Sequence, residues 1–240
     1  MATDNHGKVY VNKYGKRVMR ITDVIKVLAK DQIAVWANML GFKKISYKAE
    51  LNRTANIGSM VHAVIEDFSD EHTITMIKGY ENYDIYTYGD KKEVQNAIRS
   101  FFFWYEHNKE LYKVIDTEVQ LIGEEVGGTA DTILQSPFNP DHVIIGDYKT
   151  SKGVYFSMYL QLGGYVKLYE ELNGEDTVDG VVVFQLDKKN ANRAKAKFIN
   201  RENMQKYIDA FEALLHVAII TKSLEEELKD DMENYEMESI

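Results

Sequence analysis

Hydrophobic and polar positions change period along the chain, and the changes mark out its elements. From Val9 to Ile21 apolar residues alternate around Asn12–Gly15, which predicts a hairpin. Thr22 then stands as an N-cap before the amphipathic stretch Asp23–Ala29. A second apolar helix over Gln32–Leu40 is expected to stop at Gly41, and Phe42–Asn56 reads as basic and irregular. Over Ile57–Phe68, residues Ile57, Val61, Val64, Ile65 and Phe68 recur at helical spacing, with His62 and Glu66 four apart on one face. Asp90 followed by Glu93 resembles a capping box that opens an aromatic helix to about Asn108.

Beyond that helix the period drops to two. Val114–Ile122 alternates, with Val114, Asp116, Glu118 and Gln120 on one face and Ile115, Thr117, Val119 and Leu121 on the other. Val126–Leu134 and His142–Thr150 read as further strands joined by the Pro-bracketed turn Ser136–Asp141. A helix over Tyr155–Leu172 closes at Asn173-Gly174, strands follow over Gly180–Leu186 and Lys195–Asn200, and a last helix covers Arg201–Leu224. The order predicts an α+β fold of one domain over 1–224: a mainly helical part over 1–110, a sheet core over 111–200 and a C-terminal helix over 201–224. An acidic tail over 225–240 follows.

Composition narrows the function. At 240 residues with 45% hydrophobic content, the chain can bury a substantial core. The absence of cysteine excludes a disulfide framework, a zinc–thiolate site, an iron–sulfur cluster and a cysteine nucleophile. The start lacks the apolar core of a signal peptide and no run reaches membrane-helix length, so a soluble, cytoplasmic protein is expected. The net charge of −9 argues against coating nucleic acid by bulk electrostatics. Residues 225–240, however, hold eight acids and one base, which leaves 28 bases and 30 acids in the first 224 residues and a nearly neutral body.

Charge in mid-strand is the anomaly. Asp147 and Lys149 project from one face of an otherwise apolar strand, and a turn centred between Phe138 and Asn139 places Asp131 opposite residue 146 or 147. Two adjacent carboxylates on a sheet repel unless a cation neutralises them, and a divalent metal is one such cation. The spacing alone leaves a structural Asp–Lys–Asp ion network equally open.

The segments Gly58-Ser59-Met60-Val61-His62, Gly128-Thr129-Ala130-Asp131, Asp147-Tyr148-Lys149-Thr150-Ser151-Lys152 and Gln161-Leu162-Gly163-Gly164-Tyr165 stand in the order seen in RecB-type nucleases. The chain thus resembles the PD-(D/E)XK nuclease superfamily, and within it the RecB-like branch of bacterial recombination nucleases, CRISPR-associated exonucleases, the mitochondrial genome-maintenance exonuclease and phage exonucleases. Ile21–Lys30 also resembles the start of small phage members. The resemblance covers roughly residues 17–170 and implies a restriction-endonuclease-like core, a mixed sheet flanked by helices. It implies that Asp131 and Asp147 ligate Mg²⁺ or Mn²⁺, with the Tyr148 backbone carbonyl and His62 as further ligands and Glu118 as a weaker candidate. Lys149 takes the place of the catalytic lysine. Gln161, Tyr165, Ser151, Lys152 and Thr22 fall where the family contacts nucleic acid. The iron–sulfur members of the branch need four cysteines, and this chain has none.

The expected function is metal-dependent hydrolysis of DNA phosphodiesters by an exonuclease. Single strands or duplex ends are the expected substrate, in recombination, repair or replication within a bacterial or phage-infected host cell. A recombination or replication protein is a possible partner. Local positive charge for DNA is sought at Lys43, Lys44, Lys48 and Arg53, at Lys152, and at Lys188, Lys189, Arg193, Lys195 and Lys197. The alternatives are a non-catalytic nucleic-acid-binding or anti-defence protein that keeps the fold, and a hydrolase of small phosphoesters.

Overall fold

The computed structural model describes residues 8–28, 31–66 and 88–238. Within them the helices are α1 (Ile21–Ile25), α2 (Asp31–Phe42), α3 (Tyr47–Glu66), α4 (Tyr88–Asn108), α5 (Phe156–Asn173) and α6 (Arg201–Glu238). The strands are β1 (Tyr10–Val11), β2 (Arg17–Arg20), β3 (Val114–Ile122), β4 (Val126–Gln135), β5 (Val143–Lys149), β6 (Val178–Gln185) and β7 (Lys195–Asn200). They form one mixed sheet in the order β1-β2-β4-β5-β6-β7, with β3 on the other edge of β4. The pairs β2·β4 and β5·β6 are parallel and the rest antiparallel. This is the α+β, restriction-endonuclease-like architecture expected.

Helices cover both faces. On one, α1, α5 and α6 bury Ile21, Val24, Leu160, Leu162, Met204 and Phe211 against Ile133, Ile145, Val181 and Val183 of the sheet. On the other, α3 and α4 bury Ile57, Val61, Ile65, Ile98 and Phe101 against Leu134, Ile144, Tyr148 and Phe184. Strands β4, β5 and β6 are buried almost throughout, in keeping with the apolar runs Val143–Ile145 of β5 and Val181–Phe184 of β6. Of the rings at Phe101–Tyr105, Phe101, Phe102 and Tyr105 are core while Phe103 is exposed.

Several expected boundaries move. α1 begins at Ile21 with Arg20 at its N-cap, so Thr22 lies inside the first turn and caps nothing by its side chain. Burial of Ile21, Val24 and Ile25 decides this start, because β2 runs straight into the helix; Ala29 lies outside the described residues. α2 continues through Gly41 to Phe42, and Lys44 takes the left-handed conformation at φ 56° in its place. The stretch expected to be irregular is helical from Tyr47, nucleated by Ser46, whose hydroxyl accepts the Ala49 N–H. The end expected at Phe68 lies outside the described residues.

Asp90 sits within the first turn of α4, where its buried carboxylate accepts from Arg53 at 2.6 Å. Arg53 also binds Glu50, and Lys188 pairs with Glu93, so these two bases serve the α3–α4 contact rather than a basic patch. In β3 a bulge between Val114 and Asp116 turns Ile115 outward, breaking the strict alternation expected there. Finally, α6 does not end at Leu224 but carries the acidic segment as helix to Glu238.

Candidate active site

β4 is shared along one edge by two partners. β2 pairs with its first residues, Val126 and Gly127, and β5 with Thr132–Gln135. The β4·β5 ladder ends at Thr132↔Gly146, yet β5 goes on pairing with β6 as far as Lys149↔Gln185. The sheet therefore forks one residue beyond the last pair, at Asp131 and Asp147. The Ser136 N–H donates to the His142 carbonyl, which sets the phase of the ladder; continued, that phase would give the Tyr148 N–H to residue 130. It is given instead to the Asp131 carboxylate at 2.7 Å.

The fork gathers five charged side chains. The Lys149 amine donates to Asp147 Oδ1 at 2.6 Å, as their two-residue spacing on one face dictates. His62, from α3 on the opposite side, donates from Nε2 to the Tyr148 carbonyl at 2.8 Å, and its Nδ1 lies 3.4 Å from Asp131 Oδ1. Glu118 stands at the β3 position facing Asp131 between the pairs Thr117↔Thr132 and Val119↔Ala130, and it does so at φ 50°, a strained conformation for a glutamate.

The two aspartates respond oppositely to similar burial. For Asp147, burial dominates and, with Asp131 nearby, outweighs Lys149, so the carboxyl is pushed up to about 6. For Asp131 burial also acts upward, but the His62 charge and hydrogen bond, Lys149 and the Tyr148 N–H together hold it below the usual carboxylate range. Burial works against the charge on His62 and Lys149 too, yet their acidic neighbours raise both. Glu118 is raised by burial and by repulsion from Asp131 and Glu66. The two carboxyls thus sit in one buried cluster with a histidine and a lysine, and each is shifted by burial and by its charged neighbours.

A cleft of about 310 Å³ opens on this cluster. His62, Glu118, Asp131 and Lys149 line it, whereas Asp147 lies behind Lys149 with no exposure. Gln161 and Tyr165, one helical turn apart on α5, form its far wall, with the Gln161 amide donating to the Tyr165 hydroxyl at 2.9 Å. The glycines of both motifs let these walls close. A Cβ at Gly128 would stand 2.7 Å from the Tyr165 ring, and one at Gly163 would stand 2.7 Å from the Tyr207 carbonyl of α6. Thr22 lines the mouth. Ser151 and Lys152 do not line the cleft; the Ser151 hydroxyl donates to the Gly153 carbonyl, and Lys152 is exposed.

With this geometry in place, comparison with known proteins identifies the family. The model of the PD-(D/E)XK nuclease superfamily matches residues 36–238. The chain belongs to that superfamily. Among solved structures, this superfamily member is similar to a candidate exonuclease of Eubacterium rectale. The two share 13% identity and a TM-score of 0.50, over 86% of this chain and 81% of the other. The protein SSO0001 also aligns at 13% identity, over 87% of this chain and 79% of its own, with a TM-score of 0.39. No curated protein matches the sequence.

PD-(D/E)XK nucleases use divalent metals, and the residues here suit one. One oxygen or nitrogen from each of His62, Glu118 and Asp131 falls within 4.8 Å of the others. Glu118 Oε2 and Asp147 Oδ2 are buried carboxylate oxygens without a hydrogen-bond partner, and the Lys8 amine stands 3.6 Å from the former. Such orphaned oxygens match the oxygen-rich ligation of Mg²⁺ or Mn²⁺. Asp147 is not part of the three-residue group, and its Oδ1 is held by Lys149. The Tyr148 carbonyl, which accepts from His62, is a lone-pair donor of the kind a cation also uses.

Sequence reasoning missed Arg20 and Lys26, which line the mouth of the cleft beside Thr22. Their three-residue spacing about Asp23 was a readable signal. It also missed Tyr10, whose hydroxyl pairs with Thr129 at 2.8 Å on the cleft floor. Among the described residues, no helix is long and apolar enough to cross a membrane.

Proposed function

We propose that this PD-(D/E)XK protein is a metal-dependent deoxyribonuclease of the RecB-like branch, an exonuclease of phage type acting on single strands or duplex ends in recombination, repair or replication. One observation carries the reading: Asp131 and Lys149 line an open cleft where the sheet forks, and the buried Asp147 held by that lysine keeps one oxygen without a partner. A structural ion network needs neither the cleft nor the unpartnered oxygens. The motif order from Gly58 to Tyr165 and the exonuclease description of the Eubacterium rectale neighbour support the narrower class.

In this reading Asp131 and Asp147, with Glu118 and His62, hold Mg²⁺ or Mn²⁺. A bound divalent ion supplies Lewis acidity toward a phosphoryl oxygen and lowers the proton affinity of water. Lys149 keeps its proton beside Asp147 and stabilises the negative charge that develops on the phosphate. His62 orients Asp131 and keeps it ionised. Burial holds the Tyr165 hydroxyl protonated, so it accepts from Gln161 and donates its own hydrogen to a strand in the cleft. Asp131, Asp147 and Lys149 are the catalytic group, and residues 1–224 form one nuclease unit.

The test is digestion of end-labelled single-stranded, double-stranded and circular DNA in Mg²⁺ or Mn²⁺, with Asp147→Ala and Lys149→Ala beside the wild type. Metal-dependent loss of linear DNA that spares circles and vanishes in both variants is expected. Failure of the wild type to cut in either metal, with DNA binding intact, would overturn the enzyme reading in favour of a binding module.

A further inference from the structure

The cleft has acids to spare and few uncommitted cations. Glu66, Glu118 and Asp131 line it, and of its basic groups Lys149 is held by Asp147 while His62 is held by Asp131 and the Tyr148 carbonyl. The remaining lining cations are Arg20 and Lys26. Both are tied to one carboxylate: Arg20 grips Asp23 through Nε at 2.6 Å and Nη2 at 2.9 Å, and the Lys26 amine donates to Asp23 at 2.7 Å. Asp23 does not line the cleft. Arg20 and Lys26 thus bring two positive charges to the lining, with Asp23 as a shared partner outside it.

The placement is rigid where it matters. Arg20 ends β2, pairs with Gly127 of β4 and caps α1, so its backbone is fixed to the strand that carries Asp131 four residues further on. At about 3.3 Å per residue that separation is about 13 Å along β4. Between the two cations in sequence, Thr22 presents its exposed side chain to the same mouth. A surface ion pair contributes little to stability, so folding alone gives no reason to aim this one into the cleft.

We propose that Arg20 and Lys26, positioned by Asp23 and assisted by Thr22, grip the backbone phosphate that flanks the scissile one on a DNA strand lying in the cleft. The inference rests on the nuclease reading, since the scissile phosphate is placed by the Asp131–Lys149 cluster. A planar guanidinium presents paired donors to phosphate oxygens, and the lysine adds a point charge. The grip offsets the acidic lining for a polyanion and fixes the strand before Lys149.

The test needs no turnover. Binding of a fluorescent oligothymidylate is measured by anisotropy in chelator across a salt series, for the wild type, Arg20→Gln, Lys26→Gln, the double variant and Arg20→Lys. The double variant should bind about tenfold more weakly at low salt. Its slope of log affinity against log salt should be shallower by about 0.7, the value for one phosphate contact on a single strand. Arg20→Lys should restore the slope but only part of the affinity. With metal, the loss should fall on KM rather than kcat, a split that a merely structural role would not produce. Urea midpoints separate unfolding from lost contact. An unchanged slope in a folded double variant, or a wild type that does not bind the strand, overturns the grip. If the wild type cuts no DNA but the double variant still loses slope, the nuclease reading fails and the grip stands.

Discussion

Replacing Asp147 by asparagine should stabilise the protein while destroying its site. The Asp147 carboxyl is raised from 3.8 to about 6, chiefly by burial, so its ionised form is disfavoured in the native state. A tenfold change in proton affinity corresponds to about 1.4 kcal/mol, so ionisation costs the native state about 3 kcal/mol at pH 8 relative to a neutral group of the same shape. The native protein binds more protons than the unfolded chain between the two values. Stability associated with this group is thus fully present below 3.8 and lost as pH rises through 6. The advantage of Asp147→Asn should accordingly grow as pH rises from 5 and reach about 3 kcal/mol at pH 8. In urea, with metal chelated and an m-value of about 3 kcal/mol/M, that is a midpoint shift of about 1 M at pH 8. Asp131→Asn should act oppositely. Against the upward push of burial, its carboxyl is held low by His62, Lys149 and the Tyr148 N–H, so it contributes stability above 3.8 that is lost as pH falls. A wild type as stable as Asp147→Asn at pH 8, or a gap that shrinks as pH rises, would refute the assignment of opposite roles to the two acids.

Other consequences follow from the same contacts. Gly128→Ala places a Cβ against Tyr165 and Ile21 and should lower stability by about 1–3 kcal/mol in urea unfolding; a loss under about 0.5 kcal/mol would show that the walls are not closed there. His62→Ala removes the main charge that holds Asp131 ionised, so the acid limb of the pH profile of kcat/KM should move to higher pH. Mg²⁺ or Mn²⁺ at about one hundred times its Kd should stabilise the wild type by about 3 kcal/mol in thermal unfolding, and Asp131→Asn should abolish the effect. Removing residues 225–240 takes the net charge from −9 to −2, since eight acids and one base leave together, and should change stability by less than about 0.5 kcal/mol. A larger loss would mean that the end of α6 packs against the body.

Much of this site was legible because strand periodicity is short. The two-residue repeat put Asp147 and Lys149 on one face, and a six-residue turn bracketed by Pro137 and Pro140 fixed the register that brings Asp131 level with Asp147. Buried strands β5 and β6 and the helix carrying Gln161 and Tyr165 were likewise readable from their apolar runs. What escaped depended on contacts between distant segments. Basic residues over 43–56 looked like a solvated loop because the partner that takes up Arg53 from another helix, Asp90, lies 37 positions further on. Thr22 looked like a cap because nothing local shows that β2 enters α1 without a break. The strained backbone at Glu118 was also invisible, since it arises where β3 meets a partner that is diverging from β5, whereas the bulge at Val114–Asp116 lies where β4 and β5 still pair.

That divergence is the structural reason the carboxylates can coexist. Within a continuous ladder, Asp131 and Asp147 would form a non-hydrogen-bonded pair with their side chains at closest approach, and their repulsion would be costly to bury. Opening the sheet at this pair frees the Tyr148 N–H for Asp131 and the Tyr148 carbonyl for His62, so one peptide unit supports both the acid and its counter-ion. Lys149 takes up Asp147 on the other side of the opening. The fork thus converts two lost ladder hydrogen bonds into hydrogen bonds to charged groups, which are roughly twice as strong. It also leaves one oxygen of Asp147 and one of Glu118 unsatisfied and buried. Those oxygens are the stored cost of the site, and relief of that cost is what a divalent cation would contribute when it binds.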